Sequence, residues 1–348
     1  MSIITVIGAG QMASALSFPA TENGNKVRLV GSPLDRSVID TVRDTGFHPT
    51  LKRQLPKTGI ECYQIEDVNK ALDGADIVIC GVSSFGVDWF SENILPIIPE
   101  NIPLLSITKG MIDQEDGNMI TYPEYFTSKL PKGKKLSINA IGGPCTSYEL
   151  ADKDHSVVSF CGDDIEILRK LKSLFETSYY HISLSTDVVG VECAVALKNA
   201  YALGVSLAIG LAIGPDGSGH EHYNSQAGLF GQSVKEMVHL LKLVGGGEEN
   251  IILSAGDLYV TVFGGRTRKV GTLLGQGLSI DESIRRLEGV TLESIVIATR
   301  TARGVRALAK RGIVKLSDFP LLIHVDNIIN VGATAVDIPW NAFESEKI

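Results

Sequence analysis

The sequence predicts an α/β fold, an N-terminal doubly wound Rossmann-type parallel sheet followed by a C-terminal all-helical domain, and three observations predict it. The chain opens on an apolar strand that runs straight into a glycine turn and a helix. Strand and helix patterns then alternate at the spacing of βαβ units. Beyond about Asp187 long helical patterns replace the alternation. At 348 residues the chain exceeds the size at which a single core stops growing, so two domains are expected, 1–185 and 186–348.

The first strand, Ile3 to Ile7, is followed by Gly8-Ala9-Gly10-Gln11-Met12-Ala13, a G-x-G-x-x-A arrangement that opens a helix through Ala15 and Leu16. This is the pattern of a dinucleotide-binding turn. Gly8 allows the tight turn, Gly10 lets the backbone approach a pyrophosphate with no Cβ in the way, and Ala13 lets the helix pack closely on the strand. Unpaired amides at the helix N-terminus face the phosphate charge. The plainer reading is a tight turn that packs a helix on a sheet.

The second strand, Val27 to Val30, ends at Gly31-Ser32-Pro33, where the ribose of a dinucleotide lies in such folds. No acid sits at the tip itself and Arg36 is close by, which leans toward NADP over NAD. As an ordinary solvated helix residue, Arg36 carries no such meaning.

Strands are then predicted at Ile60 to Ile65, Asp76 to Cys80, Pro103 to Ile107, Leu136 to Ile141, His155 to Phe160 and Tyr179 to Leu184. Helices are predicted near Val68 to Leu72, over Ser83 to Ile94 and over Asp164 to Phe175. Asp76 to Cys80 is almost wholly apolar, as suits a strand at a sheet centre. Gly245-Gly246-Gly247 marks a helix end.

Composition sets bounds on function. Hydrophobic residues at 44% and charged residues at 21% describe a globular chain able to bury a substantial core. A net charge of -8 argues against nucleic acid as a partner, so any anion site is local. Five cysteines without C-x-x-C or metal-ligand spacing fit reduced thiols in a cytoplasmic protein and no bound metal. The uncharged run from Ala200 to Pro215 is shorter than the roughly 20 residues that cross a bilayer, so it is expected as a helix buried in protein.

Four polar clusters carry candidate chemistry. In Ala196-Leu197-Lys198-Asn199, helical spacing surrounds Lys198 with Ala194, Val195, Tyr201 and Ala202. Desolvation drives a buried lysine toward neutrality, which suits a proton donor to a carbonyl oxygen. The alternative is a lysine that snorkels to the helix edge. Gly256-Asp257-Leu258-Tyr259-Val260-Thr261, then Gly264-Gly265-Arg266-Thr267-Arg268-Lys269, gathers an anion partner for a lysine and a cationic end for an anionic substrate, or else forms a basic surface turn. Thr108-Lys109-Gly110 and Gly142-Gly143-Pro144-Cys145-Thr146-Ser147 each follow a predicted strand, at the rim where ligands of such sheets bind.

Together these motifs resemble the sn-glycerol-3-phosphate dehydrogenase family. The likeness covers nearly the whole chain: Gly8-Ala9-Gly10, Thr108-Lys109-Gly110, the Gly-Pro-x-x-x-x-Glu run over 143–149, Ala196-Leu197-Lys198-Asn199 and Gly256-Asp257-Leu258. It implies interconversion of glycerol 3-phosphate and dihydroxyacetone phosphate by hydride transfer with NAD or NADP. By the same likeness Lys198 is the catalytic lysine, Lys109 a second lysine that contacts substrate and cofactor, and Asp257 the carboxylate that orients them. Arg266 grips the substrate phosphate and also touches the cofactor, while Gly143, Cys145, Asn199, Thr261, Gly265 and Thr267 line the substrate pocket. Gly8, Gly10, Gln11, Met12, Ser147 and Glu288 fall at cofactor positions. Relatives also suggest a homodimer without a membrane span.

The sequence departs from the family at three places. Thr267 stands where Asn usually follows the arginine, exchanging an amide donor for a hydroxyl. Cys145 replaces Ser or Asn, and Gly214 to Tyr223, with His220 and His222, reads as an expanded exposed loop whose histidines are alternatively substrate contacts. These changes leave room for a reductase of the same plan acting on an unphosphorylated polyol or hydroxy acid. A dinucleotide sensor without catalysis is a further alternative, but it has no use for Lys109, Lys198 and Asp257 together.

Overall fold

Eight strands form one sheet in the computed structural model, which describes residues 1–287, 292–333 and 337–344. They are β1 (Ile3–Ile7), β2 (Lys26–Val30), β3 (Ile60–Tyr63), β4 (Ile77–Cys80), β5 (Leu104–Ser106), β6 (Ile138–Gly142), β7 (Ser156–Cys161) and β8 (Tyr180–Ser185). Their order across the sheet is β8-β7-β6-β5-β4-β1-β2-β3. From β1 the chain first builds outward through β2 and β3, then returns to add β4, β5 and β6 on the other side. The reversal puts a topological switch point between β1 and β4, where ligands of such sheets bind beyond the strand ends. Ile4 pairs with Val27 on one side and Ile77 on the other, and β4 is buried throughout, as its apolar run requires.

One expectation needs correction: the sheet is not wholly parallel. β6 and β7 run antiparallel, with Ile141 opposite Phe160, before β8 returns parallel to β7. The link from β6 to β7 contains a single helix of five residues, Ser147–Ala151. Such a helix advances about 7.5 Å, short of the roughly 16 Å needed to carry the chain back along a five-residue strand. The chain therefore doubles back.

Flanking helices show why these segments fold as they do. In Ile165–Phe175 the preceding Asp164 caps the helix by accepting from the Glu166 amide at 2.8 Å, and Leu168, Leu171 and Leu174 recur at one-turn spacing on the buried face. Helix Tyr122–Lys129 starts with a reciprocal Thr121–Glu124 capping box.

The chain divides into two compact units, one of 1–109 with 121–192, the other of 110–120 with 193–348. In the second, the helix Val188–Ile213 gives Cys193, Leu197, Tyr201 and Val205, with the alanines between them, to the core. At 26 residues it is long and apolar enough to cross a membrane, but 72% of its most apolar window is buried inside the protein, as expected of a core helix. Helices Tyr223–Leu243, Ile251–Phe263, Gly265–Gly275, Glu293–Lys310 and Pro320–Asn330 also belong to this unit. Gly245, at φ +80°, follows the first of these where the glycine cluster predicts a helix end.

Helix Gly265–Gly275 meets the long helix backbone to backbone: a Cβ on Gly275 would stand 2.2 Å from the Leu207 carbonyl oxygen, and one on Gly271 2.5 Å from Ser206 Cβ. Buried Glu236 accepts from the Leu321 and Leu322 amides at 2.8 and 3.0 Å, satisfying the first turn of helix Pro320–Asn330. The excursion over 110–120 forms a ribbon of Met111–Asp113 and Met119–Thr121. Arg303 pairs with Asp113, and Arg300 donates to the Met111 carbonyl at 3.1 Å.

Candidate active site

In the first unit the glycine-rich turn is fixed by its surroundings. Gly8 has φ +103°, and a Cβ there would stand 2.8 Å from the Gly81 carbonyl, so glycine is required on both counts. Gly81 is itself a glycine because a Cβ would lie 2.5 Å from Ala13 Cβ. Gly10 differs. Its φ of -69° suits any residue, and the nearest atom a Cβ would meet is 3.7 Å away. The fold does not need a glycine there, and its absence of a side chain leaves the backbone open to a ligand. No side chain caps the helix that begins at Gln11, leaving its first amides for an anion. The residues present therefore fit a dinucleotide pyrophosphate at this turn.

Two residues outside the motif pin the turn from opposite sides. The Asp35 carboxylate accepts from the Ala9 amide at 3.0 Å and from the Ser32 amide and hydroxyl at 2.9 and 2.6 Å, tying the turn to the tip of β2. His48, fully buried, makes a 3.0 Å bond to the Ala9 carbonyl through Nε2 while Nδ1 accepts from the Leu51 amide at 3.0 Å. That pairing assigns it the neutral Nε2–H tautomer. Burial lowers its pKa, overcoming the hydrogen bond to Ala9. Arg36 is exposed and paired with Glu66. Gln11 donates to the Thr50 carbonyl at 2.8 Å and accepts from the Ser147 hydroxyl at 3.4 Å, so two of the cofactor candidates meet; Met12 packs against the core of this unit.

Lys109 follows β5 and donates through Nζ to the Gly143 carbonyl at 2.9 Å, with Gly143 at φ +120°. The two rim clusters are thus joined by one hydrogen bond. Cys145, half-buried, lies next in that loop.

In the second unit Lys198 Nζ donates to Asp257 Oδ1 at 2.5 Å, with the side chains 14% and 1% exposed. The lysine stands on a face of Ala194, Val195, Tyr201 and Ala202, all buried, so it does not snorkel to solvent. Thr261 donates to the Asp257 carbonyl at 2.7 Å. Asn199 Oδ1 accepts from the Thr267 hydroxyl at 3.5 Å. Thr267 is buried against Asn199, whereas Arg266 is exposed and forms no hydrogen bond or ion pair among the described residues. Its neighbour Arg268 is engaged by the Val262 carbonyl and by Glu221. Gly265 has φ +86°, and neither Gly264 nor Gly265 would bring a Cβ within 4 Å of another atom. An uncapped helix start, open space and an exposed guanidinium are together able to accommodate an anion.

Of the other candidates, Glu288 lies outside the described residues. His220 and His222 are exposed, in the segment before helix Tyr223–Leu243.

Comparison with known families decides the relationship. Residues 3–167 match the family described as NAD-dependent glycerol-3-phosphate dehydrogenase N-terminus, and residues 187–339 its C-terminus. The chain belongs to the NAD-dependent glycerol-3-phosphate dehydrogenase family. It is 34% identical over 288 residues to the NADP(+)-dependent glycerol-3-phosphate dehydrogenase of Archaeoglobus fulgidus, covering 82% of this chain and 84% of that one. A Koribacter versatilis glycerol-3-phosphate dehydrogenase [NAD(P)+] is 28% identical over 97% of this chain and 95% of its own length. The fold matches the Plasmodium falciparum glycerol-3-phosphate dehydrogenase structure at a TM-score of 0.82 with 22% identity, over 100% of this chain and 96% of that one.

Asp35, His48 and Gly81, which hold or fit the glycine turn, carry no local signal in the sequence. Asp35 lies past the strand tip at which an acid is sought, and His48 lies 39 residues from the Ala9 carbonyl it holds. No local pattern marks either.

Proposed function

We propose that the chain catalyses the reversible NAD(P)-dependent interconversion of glycerol 3-phosphate and dihydroxyacetone phosphate, with Lys198 as the group that moves the proton. The observation that carries this reading is the buried Lys198–Asp257 pair beside Asn199. A lysine that stands among apolar residues and donates to a buried carboxylate has its ammonium fixed in direction. It can give a proton to a carbonyl oxygen in reduction and take one from the hydroxyl in oxidation. Asp257 holds the ammonium and balances its charge when no substrate is present.

Arg266 and the amides at the start of its helix grip the phosphate, and Asn199, held by Thr267, offers its amide to the substrate. Lys109, anchored at Gly143, supplies a second cation for substrate and cofactor. Gly8, Gly10, Gln11 and Ser147 hold the dinucleotide, which supplies the hydride when bound. The family names favour this substrate over an unphosphorylated polyol or hydroxy acid. A homodimer in the cytoplasm, with NAD and NADP both as candidate cofactors, completes the reading.

The test is turnover of dihydroxyacetone phosphate against dihydroxyacetone, with NADH and with NADPH. Oxidation of cofactor with the phosphorylated ketone and little with the other supports the proposal. Equal turnover on both, or none on either, overturns it.

A further inference from the structure

Glu192 has no part in the chemistry above, yet among the described residues it is the carboxyl with both oxygens buried and unbonded. It sits near the start of helix Val188–Ile213, six residues before Lys198, and is 0% exposed. Both of its carboxyl oxygens are buried without a hydrogen-bond partner. A carboxylate without partners in such surroundings is unfavourable enough that a merely structural position would favour an apolar residue. Among the described residues the cation whose field reaches it is Lys109.

We propose that Glu192 is a positioning residue for Lys109: a buried carboxyl whose charge state sets how much of the Lys109 field is available to an anionic substrate. This rests on the reading of Lys109 as a substrate-contacting lysine. With Glu192 protonated, none of the Lys109 field is offset by this carboxyl, while Nζ is anchored at the Gly143 carbonyl. With Glu192 ionised, its negative charge offsets part of that field and the substrate anion binds less tightly.

Burial raises Glu192 to about 8, with Lys109 pulling the other way, so the change falls just above neutral pH. Among the described residues, Cys161 at the end of β7 is a titratable group that feels the Glu192 charge. Burial first, then the fields of Glu192, Asp187 and Asp163, push that thiol well above its ordinary range, so it stays neutral. A phosphate monoester, with its second pKa near 6, is already fully ionised between pH 7 and 9 and contributes no step there.

The test is a double-mutant cycle read as KM for dihydroxyacetone phosphate from pH 6.5 to 9.5, using the full chain with saturating cofactor. In the unmodified enzyme KM rises about threefold to tenfold through pH 8, an offset of roughly 1 kcal/mol by the usual tenfold per 1.4 kcal/mol. Glu192→Gln keeps the shape and removes the charge, so its KM shows no step. In a Lys109→Met background, adding Glu192→Gln changes KM no further.

A step that persists in Glu192→Gln, or a full cost of Glu192→Gln in the Lys109→Met background, overturns the assignment while leaving Lys109 in place. A Lys109→Met enzyme with unaltered KM overturns the reading of Lys109, and this inference with it. Should Glu192→Gln fail to fold, Glu192→Asp supplies the reading: a carboxyl drawn back from Lys109 keeps the step with a shifted midpoint, and an unshifted midpoint counts against the proposal.

Discussion

Lys198 and Asp257, 59 residues apart in sequence, meet at 2.5 Å through Nζ and Oδ1 on two helices of the second unit. The pair is nearly closed to solvent, so the two charges face each other with little water between them and the bulk. Asp257→Asn keeps the shape but removes the carboxylate charge that faces a buried ammonium. Breaking such a pair typically costs about 3–5 kcal/mol. The expected outcome is a melting temperature several degrees lower together with a fall in kcat of about a hundredfold or more. Circular dichroism melts and steady-state kinetics on one preparation check both, and an enzyme with unchanged kcat removes Asp257 from the mechanism.

The glycines of the turn separate fold from function. Gly8→Ala forces a side chain into a backbone at φ +103° and against Gly81, so it should lower stability by a few kcal/mol. Gly10→Ala meets no protein atom closer than 3.7 Å, so the melting temperature should stay within a degree or two while the Kd for NAD(P)H rises at least tenfold. Calorimetric titration of the two variants reads this directly. A Gly10→Ala protein that binds cofactor normally shows that the open position is not a pyrophosphate seat.

Arg266 is exposed at an open helix start, and its role is tested through binding more than through the chemical step. Losing a charge-assisted contact worth about 1.5–3 kcal/mol should raise KM for dihydroxyacetone phosphate by roughly 10- to 100-fold, with kcat less affected. An Arg266→Leu enzyme with unchanged KM moves the phosphate site elsewhere.

His48 predicts a pH dependence with a definite sign. Its pKa is lowered by burial, so below the ordinary value of 6.5 the unfolded chain takes up a proton that the folded chain refuses. The stability His48 contributes is present above pH 6.5 and is lost as pH falls from there through the depressed folded value. Denaturant melts at pH 7.5 and 5.5 should show a smaller loss on acidification in His48→Gln than in the parent. An equal loss in both assigns the acid sensitivity to other groups.

Much of the fold was legible because its signals are local. The G-x-G-x-x-A turn, the apolar run of β4 and the one-turn spacing of Leu168, Leu171 and Leu174 each require nothing but neighbours in sequence. The antiparallel entry into β7 was not legible, since it depends on the length of the helix before it and not on the strand's own residues. The ribbon over 110–120 escaped notice for a similar reason: its anchors, Arg300 and Arg303, come about 190 residues later. At the candidate site the pairing of Lys198 with Asp257 could be anticipated from residue types. Asp35 and His48 could not, because what they hold is the backbone of Ala9, and a backbone leaves no mark in a sequence pattern.

The most direct test of the account is Lys198→Met, which keeps the length and apolar character of the side chain and removes its proton. With dihydroxyacetone phosphate and reduced cofactor, kcat should fall by about 10²- to 10⁴-fold, the range contributed by a positioned acid–base group, while the Kd for NAD(P)H stays within about twofold. Turnover in Lys198→Met comparable to that of the parent enzyme would contradict the central claim.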